Sequence, residues 1–191
     1  MIHETAIVAP DAVVGADAEI GPFALVGLYG GDDLRPFEMG SLGVIRSHCV
    51  TYRGTRFGTS AALGHGVLVR ENCTIGDRVS IGSHSVVEHT VRMGNDVRLH
   101  SNCFVPEESV LEDGCWLGPG VIVTNARYPN RPDTKENLEG VHIEKDATIG
   151  AGVILMPGIR VGAGALVGAG ALVLDDVAPG QRVVGNPGRV L

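Results

Sequence analysis

Val69-Arg70-Glu71-Asn72-Cys73-Thr74-Ile75-Gly76-Asp77-Arg78-Val79-Ser80-Ile81-Gly82-Ser83-His84-Ser85-Val86-Val87 sets a branched aliphatic residue at every sixth position, at Val69, Ile75, Ile81 and Val87. The step continues in both directions. Upstream it passes through Ile45, Thr51, Phe57 and Leu63, and downstream through Met93, Leu99, Val105, Leu111, Leu117 and Val123; Thr51 is the one member that is not apolar. The same spacing runs from Ile2 to Val26 and again from Ile143 to Val173. A period of six matches neither the 3.6 of a helix nor the alternation of an isolated strand, but it fits one short strand plus one corner per repeat. Three repeats then close an eighteen-residue triangular coil. Stacked coils pair each strand with those above and below, so the aliphatic anchors form one continuous interior. Glycine often follows an anchor, as at Gly76, Gly82 and Gly168, and is expected there for its access to positive φ at corners. The reading is an all-β parallel β-helix forming a single domain over residues 1–191. Loops are inserted at about 28–43 and 124–141, and a tail begins at about 175.

Composition agrees with a core of small and branched residues: 44% of the chain is hydrophobic but only 4% aromatic, and 28 residues are glycine. A net charge of -7 with no basic stripe argues against a nucleic-acid partner. The longest apolar run, Ala163 to Leu174, is too short to span a bilayer. The first residues lack the basic and apolar regions of a secretory leader, so a cytoplasmic location is expected.

Cys49, Cys73, Cys103 and Cys115 each fall four positions after an anchor, a slot that elsewhere holds Ser85, Val97 and Ala165. Small inward-facing thiols are therefore expected, not metal or redox work. Gly162 through Gly170 superficially matches a dinucleotide fingerprint, yet it is two successive repeats without the strand-turn-helix context such a site needs.

Residues eighteen apart should stack on adjacent coils roughly 4.8 Å apart. The second residue after successive anchors gives the column Arg53, Glu71, His89, Glu107 and Asn125. An imidazole between two carboxylates is oriented as a general base needs to be. The alternative is a ladder of surface charges that stabilises stacked strands.

The six-residue motif resembles the hexapeptide-repeat acyltransferase superfamily, and that resemblance implies a left-handed β-helix. Trp116-Leu117-Gly118-Pro119 followed by a loop opening at Thr124-Asn125 is similar to the acetyltransferases that act on nucleotide-linked amino sugars. The ending Asp176-Val177-Ala178-Pro179 through Val184-Gly185-Asn186-Pro187-Gly188-Arg189 resembles the terminal motif of acetyl-CoA-dependent members. Val87-Glu88-His89 with Gly94 is similar to the segment holding the catalytic histidine in sugar acetyltransferases and lipid A acyltransferases; Gly21-Pro22-Phe23 and the first loop, which includes Gly31-Asp32-Asp33-Leu34, resemble the latter.

The resemblance implies acetyl-CoA as donor, a nucleotide-linked amino sugar as acceptor and a homotrimer with sites between subunits. It makes His89, Glu107 and Asn125 the catalytic candidates, and Gly168, Ala169, Gly170, Arg182 and Arg189 the donor-binding ones. Glu71, Asn102, Arg127 and Tyr128 become candidates for acceptor contacts. O-acetylation and transfer from an acyl-carrier protein stay open. So does a zinc-dependent hydration site like that of the γ-class carbonic anhydrases, built from His48, His84 and His89, although no metal is expected on the first reading.

Overall fold

The computed structural model describes residues 1–30 and 35–191; the Gly31–Leu34 part of the first loop lies outside the described residues. Short strands, nearly all of two residues, stack into three sheets of nine, eight and ten strands, parallel throughout except for the final hairpin. The first sheet runs from Ile7–Val8 through Val86–Val87 to Leu172–Val173, and the second from Val13–Val14 through Arg92–Met93 to Arg160–Val161. The third runs from Glu19–Ile20 through Arg98–Leu99 to Leu166–Val167 and then the chain's end. Leu68 and Val69 pair with Val86 and Val87, one eighteen-residue lap further on. The solenoid is the expected left-handed β-helix. Among the described residues no helix is long and apolar enough to cross a membrane.

Each strand puts its anchor inside and the preceding residue outside, as the alternation of side chains requires. Ile45, Leu63, Ile81, Leu99 and Leu117 are all essentially inaccessible. The small slot two positions before each anchor also faces inward, and it does so with one repeated hydrogen bond. Thr55 Oγ1 donates to Arg70 O (2.6 Å) and Ser85 Oγ to His100 O (3.0 Å), while the Cys73 thiol meets Glu88 O (3.0 Å) and the Cys103 thiol Gly118 O (3.2 Å). Burial pushes the Cys73 and Cys115 thiols up to about 12, so these are inert core groups.

Glycine's role differs from the expectation. Positive φ falls three residues after the anchor, where the chain accepts Asn72 (61°), His84 (59°) and Asn102 (60°) as well as Gly120 (70°). The glycine directly after an anchor is needed for a different reason. A Cβ on Gly82 would stand 2.4 Å from Ser101 N on the coil above, so close stacking of coils selects it.

The first interruption is shorter than the sequence suggests. The repeat resumes at Glu38–Met39, with Met39 buried six positions before Ile45. At the far end Arg182–Val184 joins the third sheet in parallel and Arg189–Val190 folds back on it antiparallel, so a hairpin closes the stack.

Thr51 occupies an anchor position with its hydroxyl buried and, among the described residues, without a hydrogen-bond partner. Such a group costs about 1–3 kcal/mol. Thr51→Val is therefore expected to raise stability by about 1 kcal/mol, read as a higher denaturation midpoint; an unchanged or lower midpoint would mean the hydroxyl is satisfied.

Candidate functional site

Both insertions leave the prism at the same edge, the corner between first and second sheets. One lies between Val26 and Glu38, the other between Val123 and His142. The first settles against that corner through Arg53 N donating to Tyr29 O (2.7 Å) and Gly54 N to Arg35 O (3.0 Å). This edge also carries the column of Arg53, Glu71, His89, Glu107 and Asn125.

Within the column the partners are unequal. His89 Nε2 makes a short contact with the Glu107 carboxylate. Glu71 is taken by the Arg70 guanidinium (2.8 Å), which also holds Glu88 (2.8 Å). Partial burial raises the Glu71 pKa, but its backbone hydrogen bond and Arg70 outweigh this, with a smaller contribution from His89; the net shift is downward. Glu71 thus stays ionised at neutral pH. Arg53 is paired with Asp11 (2.6 Å). Asn125 Nδ2 donates to Glu107 O at 3.4 Å, so the residue that opens the second loop rests on the backbone of histidine's partner.

Thr90, Glu108, Lys135, Glu136 and Leu138 complete the surroundings, and sequence reasoning missed them. Thr90 Oγ1 donates to His89 O (2.7 Å) and lies 3.2 Å from Glu108 Oε1. The second loop, with a 3-10 turn at Thr134–Glu136, folds back so that Lys135, Glu136 and Leu138 wall a cavity with His89, Glu107 and Glu108. Gly140 permits this seating: a Cβ there would fall 2.0 Å from Glu108 O. The eighteen-residue count could have found Thr90 and Glu108, which stack beside the column. Nothing periodic announces the loop residues.

Other predicted residues lie elsewhere. Arg127 donates to Pro157 O (3.2 Å), and Tyr128 lies beneath Arg131 (4.0 Å to the ring centre); both line a separate hollow within the loop. Asn102, Gly168, Ala169 and Gly170 occupy a different edge, between the third and first sheets. On that edge Gly120, Gly152 and Gly170 succeed one another at positive φ, and a Cβ on any of them would meet nothing within 4 Å. The result is a strip of bare backbone along that edge. Arg182 and Arg189 stand near its end in adjoining strands. A single chain therefore holds His89 and the glycine strip apart, on opposite borders of the first sheet.

The outer face of that sheet is apolar throughout: Ile7, Leu25, Val50, Leu68, Val86, Phe104, Ile122, Ile154 and Leu172. The second sheet shows Arg56, Thr74, Arg92 and Arg160 in the same positions. His48 and His84 share the glycine-strip edge and not the His89 edge, and no group of three or more His, Cys, Asp or Glu among the described residues is placed to hold a metal ion.

Residues 72–107 and 140–175 match the model of the bacterial transferase hexapeptide family (six repeats), and the first window contains both His89 and Glu107. Nodulation protein L of Rhizobium meliloti is 35% identical over 67% of this chain and 68% of its own length. The chain belongs to the hexapeptide-repeat acyltransferases. Among solved structures of this fold, a UDP-N-acetylglucosamine acyltransferase from Bacteroides fragilis covers all of this chain with 74% of its own, at 19% identity and a TM-score of 0.68. PerB from Caulobacter crescentus, solved with CoA and GDP-perosamine, covers 79% of this chain with 57% of its own, at 24% identity and a TM-score of 0.52. At these identities the likeness to both is one of fold.

Proposed function

We propose that this acyltransferase moves an acetyl group from acetyl-CoA to the amino group of a nucleotide-linked sugar, in a homotrimer whose sites lie between subunits. The observation that carries the reading is the His89–Glu107 pair beneath the loop opened by Asn125. Glu107 engages Nε2, which leaves Nδ1 to take the proton. As the acceptor nitrogen attacks the thioester carbon, the new C–N bond forms, the C–S bond breaks, the electron pair leaves with the CoA thiolate and the acceptor's proton passes to His89. Asn125, which rests on the backbone of Glu107, is the candidate to position the amine.

The bare strip of Gly120, Gly152 and Gly170 suits the pantetheine arm, since no side chain obstructs the backbone there; Arg182 and Arg189 suit the donor's phosphates. Three prisms arranged with their apolar first sheets toward a common axis would bring the glycine edge of one against the His89 edge of the next. That arrangement unites the two halves of the site. The ligands of PerB and the acceptor named for the Bacteroides enzyme favour a nucleotide-linked sugar.

O-acetylation is the second reading, favoured by the engaged base itself, because a hydroxyl needs a proton acceptor more than an amine does. Incubation with acetyl-CoA and matched nucleotide sugars bearing an amine or only hydroxyls separates the two. Acetylated product that survives mild alkali, formed only from the amino sugars, is expected; alkali-labile product from the hydroxyl set would sink the amide reading.

A further inference from the structure

The third sheet bears a groove on its outer face that the proposed chemistry leaves unused. Arg46, Ser80, Ser83, Arg98, His100 and Ser101 supply its polar lining, and among the described residues no Asp or Glu contributes to it. In a chain of net charge -7 this is unusual. The arginines on other faces are largely committed: Arg53 to Asp11, Arg56 to Glu38, Arg78 to Asp96 and Arg160 to Glu144. Arg46 and Arg98 are exposed and, among the described residues, form no ion pair. Ser83 Oγ accepts from His65 N (3.0 Å), so its own proton is free to be donated into the groove. The His100 ring stands edge-on to Trp116 (5.0 Å between centres), which fixes its orientation.

Two unopposed guanidinium groups with hydroxyl donors between them have the chemistry of a phosphate site. Arg46 follows the anchor Ile45 and Arg98 precedes the anchor Leu99, three rungs above and two residues across, so their backbones stand roughly 16 Å apart. Two long side chains reaching across that span suit a diphosphate better than a single phosphate.

Position gives the groove a role. With first sheets turned to a common axis, the cleft between neighbouring subunits is walled by the third sheet of one and the second sheet of the next. Ser83, Arg98 and His100 sit on the laps that bracket His89 in height, so they face the neighbour's His89 corner. We propose that this groove is the subsite for the diphosphate of the acceptor, supplied to each site by the adjacent copy. The inference rests on the trimer and the nucleotide-linked acceptor proposed above.

Inorganic pyrophosphate is the probe. Titrated calorimetrically into the full chain, it is expected to bind the wild type and to bind R46Q/R98Q about tenfold or more weakly, with R46K/R98K intermediate. Circular dichroism verifies that each variant is folded. In acetylation assays the KM for the nucleotide-linked acceptor should rise by a similar factor while that for acetyl-CoA holds. Absence of pyrophosphate binding to the wild type, or equal binding to R46Q/R98Q, overturns the proposal. A rise in the acetyl-CoA KM instead of the acceptor's also overturns it, because the phosphates held would be the donor's. Loss of pyrophosphate binding in R46Q/R98Q, with no nucleotide-linked sugar acetylated by the wild type, would support the groove as a phosphate site and sink the acceptor reading alone.

Discussion

Phe104→Glu is expected to yield a folded monomer without measurable acyl transfer. Phe104 stands midway along the apolar outer face of the first sheet, between Val86 and Ile122, and is 36% exposed in the single chain. A nine-strand face with no polar outward residue is hard to explain on a surface left in water, since contiguous patches of that length mark contact sites. A carboxylate at its centre would be buried without a partner three times over in a trimer, and unpaired buried charge is among the costliest defects an interface can carry. The solenoid itself should survive, because Phe104 points away from the core and each coil is held by its own neighbours. Light scattering should then report one third of the wild-type mass, with an unchanged β-rich circular dichroism spectrum. Thr74→Glu, on the outer face of the second sheet, should keep the wild-type mass. A monomer that still transfers acetyl at the wild-type rate would sink the shared site, and an intact Phe104→Glu trimer would sink the interface.

The first sheet's outer face and the His89 column mark what was legible in the sequence and what was not. The anchors declared the interior, because burial recurs every six residues, and the eighteen-residue lap placed His89 over Glu71 and under Glu107 correctly. The lap could not tell which carboxylate the imidazole would choose. That choice depends on Arg70, which lies one residue off the column and takes Glu71 for itself. The outward face was equally readable in principle, as the residue before every third anchor, but its apolar run becomes visible only when the repeats are sorted into sheets. Met39, six positions before Ile45, is in register with the downstream anchors, but it stands next to a loop rich in turn residues that masks it. Glycines after anchors read as turn residues in the sequence, whereas the close approach of the next coil requires them, a contact between residues far apart in sequence. Arg127 and Tyr128 lie in a loop with no period, where numbering says nothing of which hollow a side chain will line, and they line one apart from His89.

His89→Ala is expected to lower kcat by about 100-fold or more while leaving acetyl-CoA binding intact. The argument turns on division of labour at one imidazole. Glu107 fixes the ring from the Nε2 side, and Nδ1, 3.4 Å from Thr90 Oγ1, is the nitrogen left to take a proton on the proposed reading. Alanine removes the proton acceptor but leaves Asn125, the loop and the glycine strip in place, so donor affinity should hold and the loss should fall on turnover. Glu107→Gln keeps a hydrogen-bonding partner but not its charge, and a smaller decrease of about tenfold is expected, since the ring is still held but its protonated form is less well stabilised. Stopped-time assays with saturating acetyl-CoA, together with calorimetric titration of CoA, measure the two quantities separately. Near-normal turnover in His89→Ala would show that the amine needs no base and that the leaving thiolate takes the proton. Asn125→Ala should then carry the large loss instead, through a raised acceptor KM and a reduced kcat, because positioning of the nucleophile would be what remains of catalysis on that corner.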